Sequence, residues 1–335
     1  MSGNGIDAAT NGFFDGFITS SVEPIGWFLL YLGLTALVVL LGVEKGIEKV
    51  SKIMMPVLVI LSIFIAIYSI CMPGAFDGVL YYITPDFSKF SITTVLAAMG
   101  QLFYSMSLAM GIMITYGSYM KKDVNLESSV SNIEIFDTGI AFIAGLMIVP
   151  AAYAFSHGDP EALGKGAGLM FDVLPKIFET MLGGQIIGIL FFVLVLFAAL
   201  TSSISLMETV VSIFCDKLRM GRKTACLSVF ILSVILGIPS ALGYGVLGGV
   251  KILGFSFLDF FDFISNSVLM PIVAFFTCIF IGYIIKPKAV IEEIELSAKF
   301  KRKKLFNIVI KYIAPICIVL ILISSILDAF GIMKI

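Results

Sequence analysis

A chain of 335 residues with 59% hydrophobic and only 13% charged side chains is not built as a water-soluble globule, since such domains are about half apolar and a quarter charged. The mean hydropathy of +1.07 identifies an integral membrane protein. A net charge of −1 argues against a nucleic-acid partner, because phosphate recognition needs a basic arm or patch.

The chain starts polar, MSGNGIDAATNGFFDGF, without the basic and then apolar pattern of a signal peptide. Phe13, Phe14, Phe17 and Ile18 are spaced to pack as a short helix. Apolar runs of bilayer length follow near 24–42, 52–71, 92–119, 135–155, 185–214, 223–239, 257–285 and 305–330, which predicts about eight transmembrane helices, each of roughly 20 residues. The fold class is therefore all-α, a multi-pass protein of the cell membrane with a single transmembrane domain over 1–335. Trp27 suits an interfacial anchor on the first run. Gly46 and Pro56 flank the inner end of the second, either as a loop boundary or as a place where that helix unwinds. Glycine and proline rich residues 158–184 read as an extracellular loop with a short helix around Leu169–Leu182. The lone histidine, His157, precedes that loop and reads as a solvated side chain. Five scattered cysteines (71, 215, 226, 278 and 317) form no metal or disulfide spacing and read as small buried thiols.

Basic residues set the orientation. Alternate loops collect Lys45, Lys49 and Lys52, then Lys121 and Lys122, then Lys217 to Lys223, then Lys286 to Lys304. That set faces the cytoplasm, which puts both chain ends outside. The Lys299–Lys304 run also suits anionic lipid, at about 1 kcal/mol per charge near the surface.

The stretch Ile92–Met120 is long enough to cross a bilayer, yet its centre gathers Gly100, Gln101, Tyr104, Ser105, Ser107, Ala109 and Gly111. Helix-weakening residues at that depth are tolerated inside protein or beside a water-filled cavity. A helix broken there offers freed carbonyls and hydroxyls to a cation such as sodium. A small-residue packing face is the competing reading. In Phe197–Ser205, Ala198, Thr201 and Ser202 stand at i, i+3 and i+4 on one helix face. Two hydroxyls and a carbonyl there suit an alkali cation, but taken alone these residues read first as hydroxyls back-bonded to their own helix. Among ionisable residues in the runs, Asp137, Asp259 and Asp262 read as charges near span ends. The deeper Glu208 reads as a hydrogen-bond partner of a neighbouring helix. There is no nucleophile–base constellation and no phosphate loop, so an enzyme is not expected.

The phrases GQLFYSMSLAMG (100–111) with ITYGSY (114–119), AGLMIVPAAYAF (144–155), FAALTSSIS (197–205) and GVEKGIEKVSKIMMP (42–56) together resemble the neurotransmitter:sodium symporter family, above all its bacterial amino-acid transporters. The resemblance implies part of the broken-helix, inverted-repeat fold and a sodium-coupled symporter of amino acids or related small zwitterions. It implies that Ser105, Asp137, Ala198, Thr201 and Ser202 bind sodium. It places Tyr104, Ser105, Ser107, Met110, Ser202 and Leu206 around the substrate, Asp262 at an outer gate, and Gly46, Pro56, Gly100 and Gly111 at hinges. Ala109 stands where many members have glycine. The order of motifs places the chain start in an extracellular loop, with 1–23 its remnant, and leaves the family's first three helices unmatched. The expectation is then an N-terminally incomplete chain that does not by itself concentrate an amino acid, with a separate polypeptide supplying the missing helices as an open option. The alternative is a non-transporting membrane remnant or scaffold that keeps part of the fold.

Overall fold

The computed structural model describes residues 12–156, 158–159, 166–297 and 299–331; His157 and the first residues of the chain lie outside them. Among the described residues, seven helices are long and apolar enough to cross a membrane: Glu23–Leu40, Val43–Ile70, Leu126–Phe155, Gly184–Lys217, Arg222–Leu242, Phe257–Ile285 and Lys303–Ala329. The eighth expected span is the broken one, Ile92–Ser105 followed by Ile112–Tyr119. The chain forms two compact units, one of residues 1–85 and 139–251, the other of residues 86–138 and 252–335.

In the first unit, the short amphipathic start forms the helix Phe13–Thr19, and Phe14 stacks on Phe171 with ring centroids 5.5 Å apart. Phe171 belongs to the turn Leu169–Val173, which runs into the helix Leu174–Thr180, the short loop helix expected there. Its Leu174, Ile177 and Phe178 are buried against Phe191 and Leu194 of Gly184–Lys217, and Leu58 and Ala151 join the same core. Lipid tails are as apolar as leucine, so close packing and interhelical hydrogen bonds must hold such spans together. Both are present. Gly78 has no room for a Cβ, which would meet Pro150 Cα at 2.8 Å. Ser69 Oγ accepts from the Ala151 N–H at 3.1 Å, and Tyr31 donates to Ser203 at 3.0 Å between Glu23–Leu40 and Gly184–Lys217. Large apolar residues that stay exposed, such as Ile60 at 66% and Ile235 at 61%, lie on spans and suit lipid contact.

In the second unit, a capping box starts the broken span. Ser91 Oγ accepts from the Thr94 N–H, and Thr94 Oγ1 accepts from the Ser91 N–H, each at 3.3 Å. Phe257–Ile285 and Lys303–Ala329 pack through Ala274, Cys278 and Ile318, with Phe103 and Ala109 of the broken stretch against them.

Candidate substrate and sodium sites

The break in the 92–119 span begins at Met106, not at Gly100, which sits inside the Ile92–Ser105 helix with open space where a Cβ would stand. Ser107, Ala109 and Gly111 hold φ of 53°, 62° and 80°. Three alternate residues in the left-handed region cannot continue an α-helix, and each side-chain-bearing one costs about 1–2 kcal/mol. The last intrahelical pattern is spent at Ser107 N–H to Tyr104 O, 3.0 Å, and Leu108 N–H to Phe103 O, 3.1 Å. Among the described residues no backbone N–H donates to the carbonyls of 106–110. The break therefore presents oxygens that a regular helix would have consumed, as the sequence reading anticipated.

Beside it, Ser105 Oγ donates to Asp137 Oδ1 of a second helix at 2.6 Å. Asp137 was expected near the start of its span. The helix instead begins at Leu126, so Asp137 lies about 17 Å along it at 1.5 Å per residue. The run of Ser128, Ser129 and Glu134 before it masked that extra length, because a hydropathy window starts only where polar residues thin out. Tyr104 is half exposed, at 51%, and Met110 and Ser107 are partly buried within the break. A hydroxyl, a carboxylate and freed carbonyls are the oxygen donor set that a hard cation selects.

In the first unit, Thr201 Oγ1 donates to Ala198 O at 2.9 Å and Phe197 O at 3.0 Å, and Ser202 Oγ donates to Ala198 O at 3.1 Å. Both hydroxyls are thus back-bonded to their own helix. That use of the proton leaves the lone pairs of each oxygen available, so back-bonding and cation binding are compatible. Thr201 is buried, while Ser202 and Leu206 are exposed.

The Gly46 position opens a helix with an irregular first turn, Val43–Glu48, preceded by Gly42 at φ 90°. Gly46 is buried, and a Cβ there would collide with the Val38 carbonyl. Pro56 lies exposed inside the following helix Lys49–Ile70. Asp262 accepts from Asn266 Nδ2 at 2.6 Å. It opens onto a cavity of about 640 Å³ in the second unit, with Asp259, Asp328 and Gln101 also on its wall. Three carboxylates make that mouth attractive to cations.

Two features escape pattern reading. Glu208 is fully buried, and Arg222 grips it with Nη1–Oε1 at 3.1 Å and Nη2–Oε2 at 2.5 Å. Arg222 also donates to Val39 O from Nε at 3.1 Å and from Nη2 at 2.7 Å. The expected neighbouring-helix partner of Glu208 is therefore an arginine that the loop count had assigned to topology alone. An arginine opening the span next after one with a buried acid is the available signal. Lys311, inside the Lys303–Ala329 span, and Asp328 near its end are the other ionisable residues that the reading of apolar runs passed over.

A polytopic, all-helical chain with one span broken at mid-length and oxygen donors gathered at the break is a membrane transporter of the broken-helix class. It belongs to the sodium:neurotransmitter symporter family, whose model matches residues 18–332. The chain is 33% identical to the sodium-dependent transporter YhdH of Bacillus subtilis over 96% of this chain and 71% of that protein. It is 35% identical to a sodium-dependent transporter of Haemophilus influenzae over 95% of this chain and 69% of that protein. A crystal structure of MhsT in complex with L-phenylalanine is similar with a TM-score of 0.83 and 39% identity, over 96% of this chain and 74% of that one. The family is one of sodium-coupled membrane transporters, not of enzymes.

Proposed function

We propose that this chain performs sodium-coupled symport of an amino acid or a related small zwitterion. The observation that carries this reading is the Ser105–Asp137 contact of 2.6 Å at a backbone break whose carbonyls are freed. A cation bound there by Ser105 and Asp137 would hold the two halves of the broken span in one arrangement. Tyr104, Ser107 and Met110 in the second unit, and Ser202 and Leu206 in the first, would each take a substrate-contacting role, with Asp262 at the outer gate. Ala198, Thr201 and Ser202 would hold a second sodium. The amino-acid assignment draws support from the similarity to MhsT, which was crystallised with L-phenylalanine. Coupling arises if sodium binds the outward and inward states with different affinity, since a ligand of equal affinity shifts nothing.

The test is accumulation of a labelled amino-acid mixture into liposomes under an inward sodium gradient. It is run on the chain alone and on the chain preceded by the first helices of the Bacillus subtilis relative. Sodium-dependent accumulation in either arm, abolished by Ser105→Ala, supports the reading. Uptake equal with and without sodium overturns the coupling, and no uptake in either arm overturns the reading in favour of the scaffold alternative.

A further inference from the structure

At the lysine-rich end of the second unit, the turn Phe280–Ile285, the helix Pro287–Ile294 and the opening of the Lys303–Ala329 span enclose a cavity of about 710 Å³. Lys286, Lys288, Lys303 and Lys311 line it with Glu292 and Glu295. Lys303 Nζ meets Glu295 Oε2 at 2.6 Å, and Lys288 Nζ meets Glu292 Oε1 at 3.7 Å. Among the described residues, Lys286 and Lys311 have no carboxylate within ion-pair distance. The cavity therefore carries surplus positive charge.

Two further observations say that this charge is placed. Lys311 lies about 12 Å into its span, counted from Lys303 at 1.5 Å per residue. An ionised group at such depth is costly, and its default reading is a functional one. Its backbone is anchored from the preceding span, because Tyr283 Oη donates to Lys311 O at 2.9 Å. Its stem runs close beside Gly282, where a Cβ would stand in ordinary contact with Lys311 Cγ at 3.5 Å. Lys286 holds φ 71°, a conformation that disfavours a residue with a Cβ. Strain of that kind is retained where the surroundings impose it.

We propose that this cavity binds the headgroup phosphate of an anionic phospholipid, with Lys286 and Lys311 as its counter-charges. A phosphate has the charge and acceptor oxygens that two unanswered ammonium groups lack. Basic pockets between spans at the cytoplasmic side are suited to such headgroups, and this is the end that the charge asymmetry assigns to the cytoplasm. The lipid source is favoured over a soluble phosphate by what flanks the cavity. Ile284, Ile308 and Tyr312, next to lining residues in the chain, are 67%, 52% and 59% exposed, an apolar surface on which acyl chains can lie.

The experiment is native mass spectrometry of the purified, delipidated full chain titrated with dioleoylphosphatidylglycerol, dioleoylphosphatidylcholine or inorganic phosphate. Phosphatidylglycerol should be retained in preference to phosphatidylcholine. Lys286→Gln and Lys311→Met should each weaken that preference about fivefold, the effect of about one surface charge. Lys311→Arg and the distant control Lys121→Gln should preserve it. Lys311→Met removes a charge from a span, so loss of binding through misfolding is checked by an unchanged melting temperature in phosphatidylcholine. No preference between the two lipids, or unchanged binding in both lysine variants, would overturn the proposal. Displacement of the lipid by millimolar phosphate, with equal phosphate binding in its absence, would also overturn it in favour of a soluble anion.

Discussion

Removing Arg222 should cost more stability than removing both members of its ion pair. Glu208 has no exposed surface, and Arg222 supplies it with two hydrogen bonds of 3.1 and 2.5 Å while tying down the Val39 carbonyl with two more. Arg222→Met leaves a buried carboxylate without its counter-charge, a change that costs about 3–5 kcal/mol. It also removes the donors to Val39 O, worth about 1 kcal/mol apiece at most. In the double variant Glu208→Leu/Arg222→Met no charge is left behind, and only the loss at Val39 and some repacking remain, about 1–3 kcal/mol. The double variant should thus be more stable than Arg222→Met by roughly 3 kcal/mol, the cost of the stranded carboxylate less that of repacking. Thermal unfolding in detergent, followed with a thiol-reactive dye, reads this through exposure of the buried Cys226 and Cys278. If the double variant melts at or below the single one, Arg222 is not the group that makes burial of Glu208 tolerable, and the electrostatic account fails.

Ala109→Gly should stabilise the break by about 1 kcal/mol, because the left-handed φ of 62° no longer strains a Cβ; an unchanged or lower melting temperature would count against strain at that position. Asp137→Ser should make uptake chloride-dependent, since a mobile anion can replace the carboxylate beside Ser105; uptake by that variant indifferent to chloride would return Asp137 to a structural role. Gly46→Ala should destabilise the packed first turn by about 1–3 kcal/mol through overpacking against Val38, whereas Pro56→Ala should slow inner opening with little change in sodium affinity; stopped-flow and equilibrium binding separate the two. Glu295, held below the usual carboxylate range chiefly by its hydrogen bond to Lys303, has a lower pKa folded than unfolded. Its contribution is therefore complete above the unfolded value of about 4.3 and lost as pH falls through the lower folded value. The melting difference between the wild type and Glu295→Gln should vanish under acid and persist at pH 7; a difference independent of pH would refute the assignment.

How much could be read beforehand follows from the range of the interactions. The position of the break was nearly legible, because small and hydroxyl residues concentrate between Gly100 and Gly111. Its onset at Met106 was not, since Gly100 is permissive of helix and only the backbone torsions of Ser107 and Ala109 end it. The candidate site residues rest on motif order rather than on composition. Thr201 and Ser202 illustrate why: their hydroxyls bond within their own helix in the structure, which is also what they would do without any site.

Membrane class, spans and family were legible in the sequence alone. These depend on hydropathy along the chain and on local motifs, each a property of neighbouring residues. Tertiary structure decided which polar groups answer one another. Ser105 meets Asp137 across 32 positions, and Arg222 meets both Glu208 and Val39 from the start of another helix. It also decided that Lys303 has a carboxylate while Lys311 has none among the described residues. Partners of this kind are chosen by helix packing and side-chain reach, and in an apolar setting an unanswered polar group is costly enough that the choice of partner fixes its role.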